Sequence, residues 1–127
     1  MTTIYLYTFC TGSVDSEHSD LYQHFPVLKE KISNIHSEAV GAFKDLSFFY
    51  RFNANLANMK ILIGEYELKE SIDCQQLFDN RPLWGWWWWK PSELKASRCY
   101  YGEVGGGYIY LLYDSTKQTA YIYEQNT

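Results

Sequence analysis

From Leu21 to Ala39 the apolar residues recur at spacings of three and four: Leu21, Phe25, Leu28, Ile32, Ile35 and Ala39. That stripe predicts an amphipathic helix from Asp20 to Glu38, capped by Ser19 or Asp20, with Pro26 near its first turns and Gly41 beyond its end. Other segments alternate. Ile4 to Phe9 is a run of strand formers without a breaker, followed by a polar loop from Thr11 to Ser19. Leu46, Phe48, Tyr50 and Phe52 alternate with Ser47, Phe49, Arg51 and Asn53, which favours a half-buried strand, although Ala42, Leu46, Phe49, Asn53 and Leu56 also fit a helix. Met59 to Leu68, carrying Ile61, Ile63 and Tyr66, is expected to pair antiparallel with that strand. Ser71 or Asp73 then caps a short helix through Leu77 and Phe78, stopped by Arg81-Pro82. Pro91-Ser92-Glu93-Leu94 is a plausible start for another short helix. Two aromatic and β-branched runs, Tyr108 to Tyr113 and Gln118 to Glu124, flank the polar loop Asp114-Ser115-Thr116-Lys117 and form a β-hairpin. The expected fold is one α+β domain over residues 1–127. It has a largely antiparallel or mixed sheet, one long N-terminal helix, short additional helices and the C-terminal hairpin.

One segment resists this treatment. All five tryptophans, Trp84, Trp86, Trp87, Trp88 and Trp89, lie within six residues. As a strand the run sends Trp86 and Trp88 to one face and Trp87 and Trp89 to the other, and as a helix it spreads around the whole circumference. Either both faces are covered, as in a central strand, or some indole is exposed. An uncovered pair would present about 300–500 Å² of apolar surface, the scale at which a patch signals binding. Arg81, Lys90, Lys95 and Arg98 bracket the run and could lie on indole faces.

Charge sharpens the picture. The chain carries a net charge of −4, unevenly spread. Glu65, Glu67, Glu70, Asp73 and Asp79 stand against Lys69 alone, immediately before the basic, tryptophan-rich stretch. Such a strip repels phosphate, against direct nucleic-acid binding, and would steer a basic protein partner. Its plainer role is to keep an aromatic protein soluble. The partner-binding candidates are therefore the acids Glu65, Glu67, Glu70, Asp73 and Asp79 with Trp84, Trp86, Trp87, Trp88 and Trp89.

Candidates for chemistry are few. Cys10, Cys74 and Cys99 are odd in number and widely spaced, giving neither a disulfide framework nor a Cys-x-x-Cys motif, and read as buried small apolar residues. His18, His24 and His36 lack zinc-ligand spacing, so neither metal nor cofactor is expected. Glu65 and Glu67 could share a strand face as paired carboxylates, and a cysteine with a histidine could form a nucleophile pair, but no local signature surrounds either. Gly102 and Gly105 to Gly107 precede a strand, whereas a phosphate-cradling loop follows one. They fit a bulge, a turn or a close backbone approach. No apolar run reaches membrane-helix length, and the first residues lack signal-peptide features, so a cytoplasmic protein is expected.

The small acidic build and the closing stretch Tyr108-Ile109-Tyr110-Leu111-Leu112-Tyr113-Asp114, continuing to Ala120-Tyr121-Ile122-Tyr123-Glu124, resemble the bacterial immunity proteins that neutralise polymorphic or contact-dependent toxins. The resemblance is one of overall character. It implies a non-catalytic inhibitor that occludes a cognate toxin domain, often a basic nuclease. A phage-encoded inhibitor of a host defence nuclease shares that physical profile. The alternatives of other class are an aromatic module for carbohydrate or single-stranded nucleic acid and a small enzyme.

Overall fold

The two faces of one antiparallel sheet are covered by different stretches of chain in the computed structural model, which describes residues 21–42, 45–72, 78, 86–94 and 97–126. The strands are β1 (Ser33–Ala42), β2 (Asp45–Asn53), β3 (Lys69–Glu70), β4 (Arg98–Val104), β5 (Gly107–Asp114) and β6 (Thr119–Asn126). They are ordered β1-β2-β6-β5-β4-β3, and every neighbouring pair is antiparallel. The α1 helix (Leu56–Glu65) lies between β2 and β3 in the chain.

Alternation along the strands assigns the two cores. Tyr50 and Phe52 of β2, Ala120 and Ile122 of β6, and Ile109, Leu111 and Tyr113 of β5 pack with Leu21, Phe25, Leu28 and the α1 residues Met59 and Leu62. The intervening residues Phe49, Tyr121, Tyr123 and Leu112 form the second core with Cys99, Phe78, Trp88, Trp89 and Leu94. The terminal hairpin is present, with β5 and β6 in register from Gly107↔Asn126 to Asp114↔Thr119. Asp114 closes its turn, its Oδ1 accepting from the Thr116 and Lys117 amides at 2.8 and 3.2 Å.

Three expectations are corrected. The long N-terminal helix does not form. Residues 21–24 are helical, but Pro26–Leu28 is a 3-10 turn, and Ser33–Glu38 belongs to β1. Pro26 lacks an N–H and disfavours the helical conformation at Phe25, which sits at φ −131°, ψ 70°. Leu21, Phe25 and Leu28 are one buried stripe, and the helical spacing of Ile32 and Ile35 beyond it is coincidental. An α+β description remains broadly compatible with a fold that is mostly sheet.

Met59 to Leu68 is likewise not a strand. Its apolar positions serve α1, where Met59 and Leu62 are fully buried, whereas Ile61, counted inward by the strand pattern, is 44% exposed. Asn55 caps the helix, its side chain accepting from the Asn58 amide at 2.9 Å. The expected strand at Ile4–Phe9 lies outside the described residues, as does the short helix before Arg81-Pro82 except for Phe78, which is helical.

The third correction concerns cysteine. Cys99 is buried but disulfide-bonded. No helix among the described residues is long and apolar enough to cross a membrane.

Glycine roles are specific. A Cβ on Gly102 would stand 2.5 Å from Leu68 Cδ2, so glycine lets the chain leaving α1 pack tightly against β4. Gly105, at φ +61°, occupies the β4–β5 turn.

The end of α1 is strained. The Leu68 amide donates to the Ile63 carbonyl at 2.9 Å and the Glu67 amide to that of Gly64 at 3.3 Å, a Schellman closure that places Glu67 at φ 53°. Glycine is the favoured residue there, and a left-handed non-glycine residue costs about 1–2 kcal/mol. Glu67→Gly should therefore raise stability by roughly 1 kcal/mol, read as a higher urea midpoint with unchanged slope.

Candidate functional site

The tryptophan segment is not a strand. Trp87 and Trp88 form a turn closed by the Trp89 amide donating to the Trp86 carbonyl at 3.1 Å. A turn aims consecutive side chains in different directions, which no regular element could do for this run. Trp88 and Trp89 are buried, Trp86 is half-buried, and Trp87 is 71% exposed. Trp89 sits centrally in the second core, meeting Phe49, Tyr121 and Phe78 at ring-centroid distances of 5.2, 5.1 and 5.9 Å. Trp88 stacks on Trp86 at 5.3 Å and on His36 of β1 at 5.7 Å. Trp87 stands edge-on to the same imidazole at 5.0 Å.

A polar node fastens this strap to the sheet. After Trp89 the chain enters the 3-10 turn Pro91–Glu93, and Glu93 Oε2 accepts from the Tyr121 hydroxyl in a short hydrogen bond and from Arg51 Nη2 at 3.2 Å. Arg51 Nε and the Lys90 backbone amide both donate to the Tyr121 oxygen, at 3.1 and 3.2 Å. The Arg51 guanidinium also lies over the Tyr121 ring, 5.7 Å from its centroid. Flanking bases do not supply such a contact in the described residues: Arg98 is an exposed partner of Glu70 and Lys90 is exposed, while Arg81 and Lys95 lie outside them. Burial and the hydrogen bond to Glu93 push the Tyr121 hydroxyl up to about 12. Burial opposes ionisation of Glu93, but hydrogen bonds from Tyr121 and Arg51 outweigh it and hold the carboxyl below its usual range. Burial and the Arg51 charge lower the His36 pKa.

From the strap an aromatic row runs across the sheet. Trp86 meets Phe49 of β2 at 5.3 Å, Phe49 stacks on Tyr123 of β6 at 5.0 Å, and Tyr123 stacks on Tyr110 of β5 at 5.6 Å. Tyr101 of β4 follows at 5.2 Å from Tyr110 and 6.0 Å from Tyr108. Tyr123 is buried, whereas Tyr101, Tyr108 and Tyr110 are half-buried. The strap therefore covers only part of this face. Alternating tyrosines in the terminal hairpin are the signal by which sequence reasoning could have included this row in the candidate surface.

The acids lie elsewhere. Glu65 ends α1, Glu67 follows it and Glu70 is in β3, all exposed. Glu70 pairs with Arg98 at 3.4 Å, an exposed pair of little energetic weight. Glu65 and Glu67 do not share a strand face, because one ends a helix and the other occupies its closing turn. Since β3 and β1 are opposite edges, Trp87 and Glu70 are separated by roughly five strand spacings, on the order of 24 Å. Among the described residues the tyrosine row lies between them. Asp73, Asp79 and Trp84 lie outside the described residues.

On the other face, His24 Nδ1 lies 2.8 Å from Glu124 Oε1 and 3.1 Å from the Tyr50 hydroxyl. Cys99, disulfide-bonded and facing the second core, is no partner for it. Among the described residues no three His, Cys, Asp or Glu side chains gather as a metal-ligand set. Comparison with protein-family models, curated proteins and solved structures finds no match for this chain.

The node generates a pH prediction. Glu93, with its pKa depressed on folding, contributes stability that is present above the ordinary carboxyl range and is lost as pH falls through its lowered folded value. Tyr121, raised from 10.0 to about 12, contributes stability that is present below pH 10 and is lost as pH rises toward 12. Tyr121→Phe should cost about 1–3 kcal/mol at neutral pH and make the alkaline decline between those limits shallower, the other tyrosines with raised values, Tyr66, Tyr100, Tyr101 and Tyr113, keeping their share of it. Glu93→Gln should weaken the acid decline. Urea unfolding across pH checks both.

Proposed function

We propose that the protein is a non-catalytic inhibitor of the immunity type, which binds and neutralises a cognate toxin domain through the exposed part of its aromatic sheet face. The observation that carries this reading is Trp87, 71% exposed beside two buried tryptophans at the end of the stacked row. An indole held outward by a turn whose neighbours are anchored is pre-organised, which lowers the entropy cost of docking. Tryptophan and tyrosine are the residues most used as interface anchors. Tyr101, Tyr108 and Tyr110 with Ser47 and Gln125 share the same face in register, a composition like that of protein-binding surfaces built from tyrosine and small polar residues. The exposed Glu65 and Glu67, at the end of α1, add negative surface charge that acts at a distance, suited to steering a basic partner such as a nuclease.

Ring geometry favours protein over sugar or bases. Tyr123 lies between Phe49 and Tyr110 at interplanar angles of 21° and 14°, and Trp86 stacks on Trp88 at 8°. The inner rings thus spend their faces on one another and cannot act as successive stacking platforms.

The test uses surface plasmon resonance with a nuclease toxin domain encoded beside this gene. Trp87→Ala should leave stability within about 0.5 kcal/mol, as for an exposed site, while accelerating dissociation by roughly 30-fold or more, the kinetic equivalent of a 2 kcal/mol anchor. Glu65→Gln with Glu67→Gln should slow association and flatten its salt dependence. Trp88→Ala and Trp89→Ala are unsuitable, because removing a buried indole costs about 3–5 kcal/mol of stability. Unchanged rates in the folded Trp87 and glutamate variants would sink this assignment, as would saturable oligosaccharide binding that depends on Trp87.

A further inference from the structure

We propose that His36 is a proton-operated seat for Trp87, so that a partner bound through that indole is released when the medium turns mildly acidic. The inference rests on the inhibitor reading above and adds the regulation of the same surface. The His36 imidazole meets both tryptophans of the turn. It lies nearly parallel to the Trp88 ring, at 15° and 5.7 Å, while Trp87 stands edge-on to it at 78° and 5.0 Å. Among the described residues no other ring contacts Trp87, so the orientation of the exposed indole depends on this one imidazole.

The seat suits a neutral ring. His36 is opposite Arg51 in the β1–β2 register, and that guanidinium is held in place, Nε donating to the Tyr121 oxygen at 3.1 Å and Nη2 to Glu93 at 3.2 Å. The Glu93 carboxylate is engaged by Arg51 and Tyr121. The other charged side chains on the elements packed here are Glu38, exposed two residues along β1, and the exposed Lys90 of the strap. Neither acts on the imidazole, whereas burial and the Arg51 charge both favour its uncharged form and hold its pKa below the ordinary 6.5. A proton on His36 would set a second cation against Arg51 in a half-buried niche. Turning the ring to solvent relieves both penalties. Attraction of an imidazolium to the indoles opposes the move, but it is weak at exposed rings. Trp88 remains set in the second core with Trp89, while Trp87 loses its fixed orientation. The partner must then order the indole itself, and affinity drops. Because the bound form needs the neutral ring, affinity is full above pH 6.5 and falls as pH drops through the lowered value. Glu93, held below its own usual range, keeps its charge in that window, so the node stays closed while the seat opens.

Two measurements on the full chain test the seat. In the free, isotope-labelled protein, an NMR titration from about pH 8 to about pH 5 should place the His36 midpoint below 6.5 and move the Trp87 indole N–H with the same midpoint, while the Trp89 indole stays in place. With the neighbouring nuclease toxin domain on the sensor surface, the dissociation constant should rise about tenfold per pH unit below that midpoint, the slope for one proton. It should level off near the roughly 30-fold loss expected of Trp87→Ala. His36→Phe keeps a ring against Trp87 without the charge, and should bind like the unaltered chain at alkaline pH and lose the acid dependence. A His36 midpoint at or above 6.5, or a Trp87 signal that does not follow it, would overturn the proposal without recourse to any variant or toxin. Acid release that persists in folded His36→Phe would overturn it too. A Trp87-dependent toxin complex with constant affinity across the titration would reject the proton-operated seat and leave the inhibitor reading standing. A Trp87 signal that follows His36 in a chain that binds no toxin would do the reverse.

Discussion

Burial of β6 on both faces is the constraint from which the rest of this structure follows. The strand lies between β2 and β5, and its side chains alternate between two dry cores, with Ala120 and Ile122 on one and Tyr121 and Tyr123 on the other. A sheet covered on one side only would leave one of those pairs in water. The connection from β2 to β3 covers one face with α1. The long connection from β3 to β4 carries the tryptophan strap onto the other, so the strap completes a core before it can serve any partner. Tyr121 shows how far that dependence runs. Its ring lies against Trp89 and under the Arg51 guanidinium, while its hydroxyl binds Glu93 and receives the Lys90 amide.

Legibility in the sequence tracked how local the deciding physics was. The terminal hairpin and β2 were readable because alternation and turn chemistry are contained within each segment. The helix expected from Asp20 to Glu38 failed where two patterns overlap: Leu21, Phe25 and Leu28 form a true helical stripe, but Pro26 ends it and the later apolar spacing has another origin. Met59 to Leu68 failed for the opposite reason. Met59, Leu62, Ile63 and Tyr66 carry a clear helical period, with Asn55 as a cap, and the strand pattern prevailed only by giving weight to Ile61, an exposed residue. The disulfide at Cys99 had no local signature, since pairing depends on tertiary approach.

The candidate surface was legible in part. The argument that the tryptophan run must either be covered on both sides or expose an indole is met by a turn, an arrangement that regular periodicity does not include. Nothing in the spacing of residues 84–89 indicates that Trp88 and Trp89 would be buried and Trp87 left out. Nor does proximity in sequence make Glu70 and Trp87 neighbours in space, because the sheet carries them to opposite edges. The Arg51–Glu93–Tyr121 node joins three residues far apart in the chain, each ordinary alone. Only the sheet register brings Arg51 opposite Tyr121 and makes the pair a seat for Glu93.

Anchoring and exposure are therefore two sides of one device. An exposed indole on a mobile loop would lose much of its binding energy to ordering, and would invite nonspecific association at other times. Here the strap is gripped on both sides of the turn: Trp88 stacks on His36 and Trp86, and Trp89 is set into the core, with Glu93 latched a few residues later. Trp87 is left with little freedom and one filled edge, against His36. Because His36 belongs to β1, the same contact that orients the indole also ties it to the sheet. Apolar surface is thus presented in a fixed orientation, beside a sheet whose interior is closed.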